Sequence, residues 1–463
     1  MKLYNSLTHQ LEEFVPRVQN KVGMYSCGPT VYWNQHIGHM YAYVQWDILV
    51  RFLRYQGNEV TWAMNVTDVG HLTSDADTGE DKMEKGAKRE NLSVWDVAQK
   101  YIAQFEDSLK LLNIVQPDKL MRATDYIDEQ IKIAQKINDN GFAYETRKGL
   151  VFDTSKFQDY SKFANLKLDK QKKRVDVTDD PEKKYPWDFY LWAKDDKHIM
   201  KWDSPWGVGY PGWHLECTAM STLALGETFD IHTGGIDHIG VHHTNEIAQG
   251  VGAFGQNTAN YWLHNAWLLG KGGEKMSKSL GNFITIQELV EKGYNPMALR
   301  YLFLTSHYRK GLNFTLDALN AATTALNKLR DGVLQNKVQT ARKNLSPEKL
   351  SRVDDLRTRF EDALANDLNT PQALAVVWEM MKSNIASIDK YELALSFDEV
   401  LGLNLSSEKS LQKLPNDLNE MALKREELRK AGNFIEADKV RKEIEKAGYK
   451  IRDNANKSIV DKQ

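Results

Sequence analysis

His36-Ile37-Gly38-His39 lies where a short apolar run gives way to a helical pattern, a place suited to holding an anion. The first turn of a helix offers unpaired N–H groups and a partial positive charge. Gly38 lets a ligand approach the backbone closely, and His36 and His39, three apart, can face one phosphate. Such a pair also occurs in ordinary surface turns, so it gains meaning only with a second signal. Lys275-Met276-Ser277-Lys278-Ser279 supplies one. Two lysines on a loop flanked by Gly270, Gly272, Gly273 and Gly281 can close on a polyphosphate and neutralise charge building up on a leaving group.

A third constellation has the chemistry of a metal site. In His242-His243-Thr244-Asn245-Glu246, His242 and Glu246 share a helix face, whereas His243 is expected to point elsewhere. Cys27 closes VGMYSC, and Cys217 lies in PGWHLECTAM on a helical pattern. If both parts of the chain meet at one pocket, Cys27, Cys217, His242 and Glu246 offer zinc two thiolates, an imidazole and a carboxylate. His238, four before His242, is a rival ligand, although Gly240 interrupts a continuous helix there. From spacing alone, two distant cysteines are more often plain buried residues than ligands.

The elements that must position these residues alternate. Val22–Cys27 reads as a strand, Tyr41, Val44, Ile48, Leu49, Phe52 and Leu53 recur at helical spacing, and Val60–Val66 reads as a second strand. That is a βαβ unit, the building block of a nucleotide-binding sheet. Downstream, Phe229–Thr233 is expected as a strand, Val241–Phe254 as a helix, and Tyr261–Leu269 as a strand running into the lysine loop. Between about 115 and 210 the chain is polar, with charge blocks KQKKR, DDPEKK and KDDK, and is expected to form an inserted subdomain on the surface. Beyond about 310, helical patterns cover Leu316–Leu334, Leu350–Leu364 and Pro371–Ile388. The last 43 residues hold twelve Lys or Arg and eight Asp or Glu, a mildly basic helical tail.

Composition narrows the function classes. The 463 residues are 41% apolar and 27% charged, a globular balance that excludes extensive disorder and argues for several domains. Sixty-one Lys and Arg oppose sixty-three Asp and Glu, so any nucleic-acid contact must come from local patches. No apolar run approaches the roughly 18 residues of a membrane span, and the polar N-terminus is unlike a signal peptide. Two cysteines fit a reducing compartment, so a cytoplasmic location without membrane association is expected.

HIGH and KMSKS, in this order and each between a strand and a helix, resemble the signatures of class I aminoacyl-tRNA synthetases. Across nearly the whole chain the sequence is similar to the cysteinyl-tRNA synthetases: CGPTVY before HIGH, NVTD, PWGVGYPGWHLECTAM, GGID, HHTNEIAQ and KMSKSLGNF. The resemblance implies an α/β fold, a split Rossmann-like parallel sheet with a connective insertion, followed by a C-terminal helical bundle. Its parts would be 1–115 and 211–309 for the two catalytic halves, 116–210 for the insertion, and 310–463 for stem contact and anticodon binding. It implies ATP-dependent activation of L-cysteine and transfer to the terminal adenosine of tRNA(Cys). Cys27, Cys217, His242 and Glu246 would bind one Zn²⁺; Mg²⁺ would accompany ATP. His36, His39, Lys275 and Lys278 would be catalytic, with Gly38, Gly235, Asp237 and Lys278 at ATP. Thr67 and Trp213 would contact the cysteine, and the chain would act as a monomer.

Four features depart from the family pattern. Trp33 follows CGPTVY where Asp is usual, and Tyr41 stands where Arg is common. The TDIDDK segment is stretched over 69–82, and the C-terminus lacks the frequent Trp- and Arg-containing finish. Two other outcomes share most of the motifs: a cysteine-activating ligase with an amino-sugar acceptor, and a non-catalytic tRNA- or zinc-binding paralogue.

Overall fold

Short apolar runs alternating with amphipathic helices build a five-stranded parallel sheet. In spatial order its strands are Ala259–Asn265, Phe229–Gly235, Lys21–Ser26, Glu59–Val66 and Lys119–Arg122. The computed structural model describes residues 1–70, 81–164, 180–270, 272–274, 284–337, 346–407, 416–454 and 457–462. From Lys21–Ser26 the chain crosses by the Ile37–Tyr55 helix to Glu59–Val66, and later adds Phe229–Gly235 on the other side. Strand order therefore reverses between Lys21–Ser26 and Phe229–Gly235, and ligands of open α/β sheets bind at carboxyl ends beside such a reversal. Cys27, Thr67 and Gly235 all stand at those ends. Side chains and backbone join the two halves there. The Cys27 N–H donates to the Thr233 carbonyl at 3.0 Å, and the Ser26 and Thr233 hydroxyls lie 2.7 Å apart.

The run expected as one strand, Tyr261–Leu269, is divided. Ala259–Asn265 joins the central sheet, whereas Leu268–Leu269 pairs in parallel with Leu312–Asn313. The break falls at Ala266, whose N–H turns to the Tyr308 carbonyl at 2.8 Å.

The region between 116 and 210 differs more from expectation. Lys119–Arg122 is an edge strand of the central sheet, and Ala143–Thr146, Gly149–Phe152, Phe189–Lys194 and Gly209–Pro211 form a four-stranded antiparallel sheet. Leu150, Phe152, Phe189, Leu191 and Trp192 share a core with Tyr25, Cys217 and Trp262. This region is thus joined by packing to the elements that carry Tyr25, Cys217 and Trp262, and its four-residue apolar runs are too short to stand out among the charges.

The helical region is likewise no appendage. Leu316–Asn336, Pro347–Ala365, Thr370–Lys382 and Ser387–Leu401 are helices, the expected Pro371–Ile388 helix being two. Ser383 turns extended, and its hydroxyl donates to the Met380 carbonyl at 2.7 Å. One apolar core contains Val44 and Ile48 of the first helix, Phe303, and Leu326, Phe360 and Phe397. Within it, the fully buried Arg300 donates to Asp47 at 2.5 Å and to the carbonyls of Leu401 at 2.8 Å and Leu112 at 3.0 Å. Asp47 also accepts from Arg51 at 2.8 Å and from the Val115 N–H at 2.8 Å.

Residues 1–405 form one compact unit and 406–463 another. In the second, the helices Asn416–Lys430 and Phe434–Lys446 and an antiparallel hairpin, Tyr449–Asn454 with Lys457–Lys462, surround Leu418, Ala422, Val440, Ile444 and Ile451. The sequence reading of this tail as wholly helical is corrected by the hairpin, which begins just after Gly448 in the left-handed region (φ 83°). Among the described residues, no helix is long and apolar enough to cross a membrane.

Candidate metal centre and active site

Three elements bring the ligand candidates together. Cys27 continues the Lys21–Ser26 strand, Cys217 lies in the first turn of the Leu215–Leu225 helix, and His242 and Glu246 lie one turn apart on the His242–Phe254 helix. All four side chains are buried. Cys27 Sγ lies 4.0 Å from Cys217 Sγ and 3.8 Å from Glu246 Oε1, and His242 Nε2 lies 3.0 Å from Glu246 Oε1. Their ligand atoms fall within 4.8 Å of one another.

Two further histidines enter the same place. His243 does not point elsewhere, as expected from helical spacing: its Nε2 lies 3.2 Å from Cys27 Sγ and 3.8 Å from Glu246 Oε1. His232, on the Phe229–Gly235 strand, places Nε2 3.5 Å from Cys27 Sγ and 3.5 Å from Glu246 Oε2. His238 approaches the rings of His242 and His243 at 5.0 Å each but belongs to neither four-ligand set among the described residues. Outer contacts orient these rings. His242 Nδ1 lies 2.6 Å from His214 Nδ1, and His243 Nδ1 lies 2.7 Å from His264 Nε2, which is held in turn by Ser6 Oγ at 2.9 Å from Nδ1.

The electrostatics are those of a cation site. Burial alone would raise the Cys27 thiol, but Cys217 and the imidazoles of His243 and His242 hold it well below the usual thiol range. Burial pushes Cys217 well up, with the neighbouring Cys27 adding to it, and raises Glu246. His242 is held well above the usual imidazole range by Glu246 and Cys27, against burial. A pocket that gathers thiolate, thiol, carboxylate and imidazoles out of water gains a common partner from a divalent ion. Two sulfurs with nitrogen and oxygen suit a borderline-soft, four-coordinate metal.

The HIGH segment is built as a strand-to-helix corner. His36 caps the Ile37–Tyr55 helix, its Nδ1 accepting from the Gly38 N–H at 2.9 Å, and its ring lies 3.8 Å from that of His39. A Cβ on Gly38 would stand 2.6 Å from His36 Cε1, so any larger residue would displace that ring. Lys275 and Lys278 lie outside the described residues. Just past them, the Ile284 carbonyl accepts from the Ile37 N–H at 2.9 Å, and Thr285 bridges to His36. Ile284 and Thr285, which follow the lysine segment in the chain, are therefore tied to the histidine corner.

The remaining candidates line the same rim. Thr67 is buried, its N–H donating to Pro29 and its hydroxyl accepting from Asn65 at 2.9 Å. Gly235 precedes the short 3₁₀ turn carrying Asp237, whose carboxylate accepts from the Trp267 indole at 3.4 Å. Trp213 stacks on His214 with ring centroids 4.5 Å apart and lies 5.3 Å from the His242 ring. Lys82 stands over its indole at 5.0 Å, a contact the sequence reading did not foresee. His214 is held at φ 87°, a backbone strain that marks positions fixed by their surroundings. The departures also have partners. Arg89 lies 3.3 Å above the Trp33 ring and donates to the Tyr32 carbonyl at 2.7 Å, while the Tyr41 hydroxyl donates to the Lys310 carbonyl at 3.2 Å.

Sequence reasoning missed His214, His232 and His264 as neighbours of the metal candidates. The available signal was their density: six of the chain's twelve histidines lie between 214 and 264.

Known proteins place this geometry. Residues 13–324 match the family model of the tRNA synthetases class I (C) catalytic domain, and residues 359–406 match the DALR domain. Cysteine–tRNA ligase 1 of Burkholderia lata is 42% identical, over 98% of this chain and 95% of its own length. The chain belongs to the class I cysteinyl-tRNA synthetase family. Cysteine–tRNA ligase of Treponema denticola is 38% identical over 99% of both chains. Among solved structures, methionyl-tRNA synthetase of Mycobacterium tuberculosis with methionyl-adenylate has a TM-score of 0.59 at 14% identity, covering 83% of this chain and 90% of that one. That likeness bears on the fold, an α/β sheet followed by helices.

Proposed function

We propose that this chain is a cysteine–tRNA ligase that activates L-cysteine with ATP and loads it onto tRNA(Cys). The carrying observation is the meeting of Cys27, Cys217, His242 and Glu246 in one buried place. In this reading they hold one Zn²⁺. When bound, it supplies a soft Lewis acid that takes a thiolate and gains little from an alcohol, separating cysteine from serine where shape alone gives only about 10²-fold.

The protein's own groups do the rest. Trp213 covers the amino-acid side of the metal centre, and Thr67 orients the substrate amine. Gly235 and Asp237 receive the nucleoside. The N-terminus of the Ile37–Tyr55 helix, with His36, Gly38 and His39, holds the phosphates of Mg²⁺–ATP in line with the substrate carboxylate. Lys275 and Lys278 neutralise the charge that develops as pyrophosphate leaves. A ribose hydroxyl of the terminal adenosine then attacks the carbonyl of the cysteinyl-adenylate, forming the ester as the acyl–phosphate bond breaks and AMP leaves. Residues 1–115 and 211–309 act as the two catalytic halves, 116–210 as the connective insertion, and 310–463 contacts tRNA. The DALR match supports tRNA over an amino sugar as acceptor.

Charging of total tRNA with radiolabelled cysteine and with serine, before and after metal removal by a chelator, tests this reading. Cysteine charging that is lost with the metal is expected. Serine charging of comparable efficiency, or cysteine charging indifferent to verified metal loss, contradicts it.

A further inference from the structure

The family's ligand set leaves unused two buried imidazoles that approach the same sulfur and carboxylate. Cys27, His232, His243 and Glu246 form a second group whose ligand atoms lie within 4.8 Å of one another. We propose that the pocket contains two overlapping four-ligand metal seats, and that an ion deprived of Cys217 or His242 is retained in the second. The proposal rests on the metal reading above and extends it to residues outside that ligand set.

Geometry carries the argument. A tetrahedral site with bonds of roughly 2.0–2.3 Å separates its ligand atoms by about 3.3–3.8 Å. Four distances in the second group are close to that spacing: Cys27 Sγ lies 3.2 Å from His243 Nε2 and 3.5 Å from His232 Nε2, while His232 lies 3.5 Å from one Glu246 oxygen, Oε2, and His243 3.8 Å from the other, Oε1. Each imidazole is also held in place. The far nitrogen of His243 is engaged by His264, which Ser6 engages in turn, the outer-shell pattern that orients metal-bound histidines. His232 stacks on Trp262 with centroids 4.3 Å apart and planes 16° from parallel, and its Nδ1 is buried with no hydrogen-bond partner among the described residues.

The seats share Cys27 and Glu246, so they compete for one ion. They differ in donors: the first offers two sulfurs, one nitrogen and one oxygen, the second one sulfur, two nitrogens and one oxygen. Both suit zinc or cobalt(II), and cobalt reports the number of sulfur ligands through its charge-transfer absorbance.

The test uses the intact chain, stripped with a chelator and reloaded with cobalt(II). Metal per chain is measured by mass spectrometry and sulfur-to-cobalt absorbance by spectroscopy. Cys217→Ala is expected to retain about one cobalt per chain with roughly half the absorbance per ion, and His243→Asn alone about one with the absorbance unchanged. Combining the two is expected to lower cobalt affinity by at least about 100-fold relative to Cys217→Ala. His242→Asn with and without His243→Asn repeats the comparison at another ligand, and circular dichroism verifies folding of each variant. The proposal is overturned if Cys217→Ala and His242→Asn lose cobalt as completely as the double variants, or if His243→Asn changes nothing in either background. A wild-type chain that takes up no cobalt or zinc overturns the metal reading itself, a distinguishable failure.

Discussion

Gly38→Ala is the substitution whose effect can be worked most directly from the structure. The new Cβ would stand 2.6 Å from His36 Cε1 and 2.7 Å from its Nδ1. Ordinary carbon contacts begin near 3.4 Å, so the ring must retreat by roughly 0.8 Å or rotate away. Either movement breaks the 2.9 Å bond by which His36 caps the helix and disturbs its contact with His39. Loss of the cap costs about 1 kcal/mol, which in a unit of this size lowers the melting temperature by about 3 °C or less. Displacement of a positioning group by about 1 Å costs up to 10²-fold in rate. Cysteine-dependent ATP–pyrophosphate exchange is therefore expected to fall roughly 30- to 100-fold, about 2–3 kcal/mol in barrier, with bound metal unchanged. His36→Asn separates the two effects, since asparagine caps well but lacks the imidazole. It should keep the melting temperature and lose exchange. If Gly38→Ala keeps exchange within about threefold, the close fit of ring to backbone does not position the phosphates and the reasoning fails.

Other perturbations test other parts of the molecule. Lys278→Ala should lower pyrophosphate exchange by more than roughly tenfold while zinc content stays constant; unchanged exchange removes the lysine from the transition state. Arg300→Met leaves Asp47 buried with Arg51 as its remaining charged partner, and should destabilise the first unit by about 3–5 kcal/mol in denaturant titration. A loss below 1 kcal/mol would mean that the surrounding carbonyls are readily satisfied otherwise. Glu379 is held at a pKa of about 2 chiefly by the hydrogen bond from Arg359, against desolvation, with Arg352 adding a further hydrogen bond. A depressed carboxylate stabilises above its unfolded pKa of about 4.3, and the contribution disappears as pH falls through the folded value. Because Glu379 is 38% exposed, screening limits that contribution to under about 1 kcal/mol. The melting-temperature difference between wild type and Glu379→Gln should shrink from pH 7 to pH 3; a difference that grows would reverse the sign.

The histidine corner was legible because its signals are local. Gly38, the strand before it and the periodic apolar residues after it lie within one βαβ unit, and the structure reproduces that unit nearly to the residue. The meeting of Cys27 with Cys217 was not deducible from spacing, since it depends on which strands become neighbours. The resemblance supplied that topology. His243 was misjudged because helical spacing was applied to one helix alone, whereas Cys27 and the neighbouring strand fill the space between its faces and those of His242. The insertion was misread for another reason: Gly149–Phe152 and Phe189–Lys194 are short and flanked by charge, yet both are pulled inward by Trp192 and Trp262 in a common core.

Arg300 has a practical implication for anyone who would splice this polypeptide. Its guanidinium clasps the carbonyl of Leu401 while gripping Asp47 on the Ile37–Tyr55 helix, so a fragment ended near 310 would forfeit that anchor and bare a long greasy flank. A cut after Leu405 spares it. Grafting of foreign tRNA-reading modules onto this enzyme body therefore belongs at the later junction, and the four helices before it travel with the catalyst.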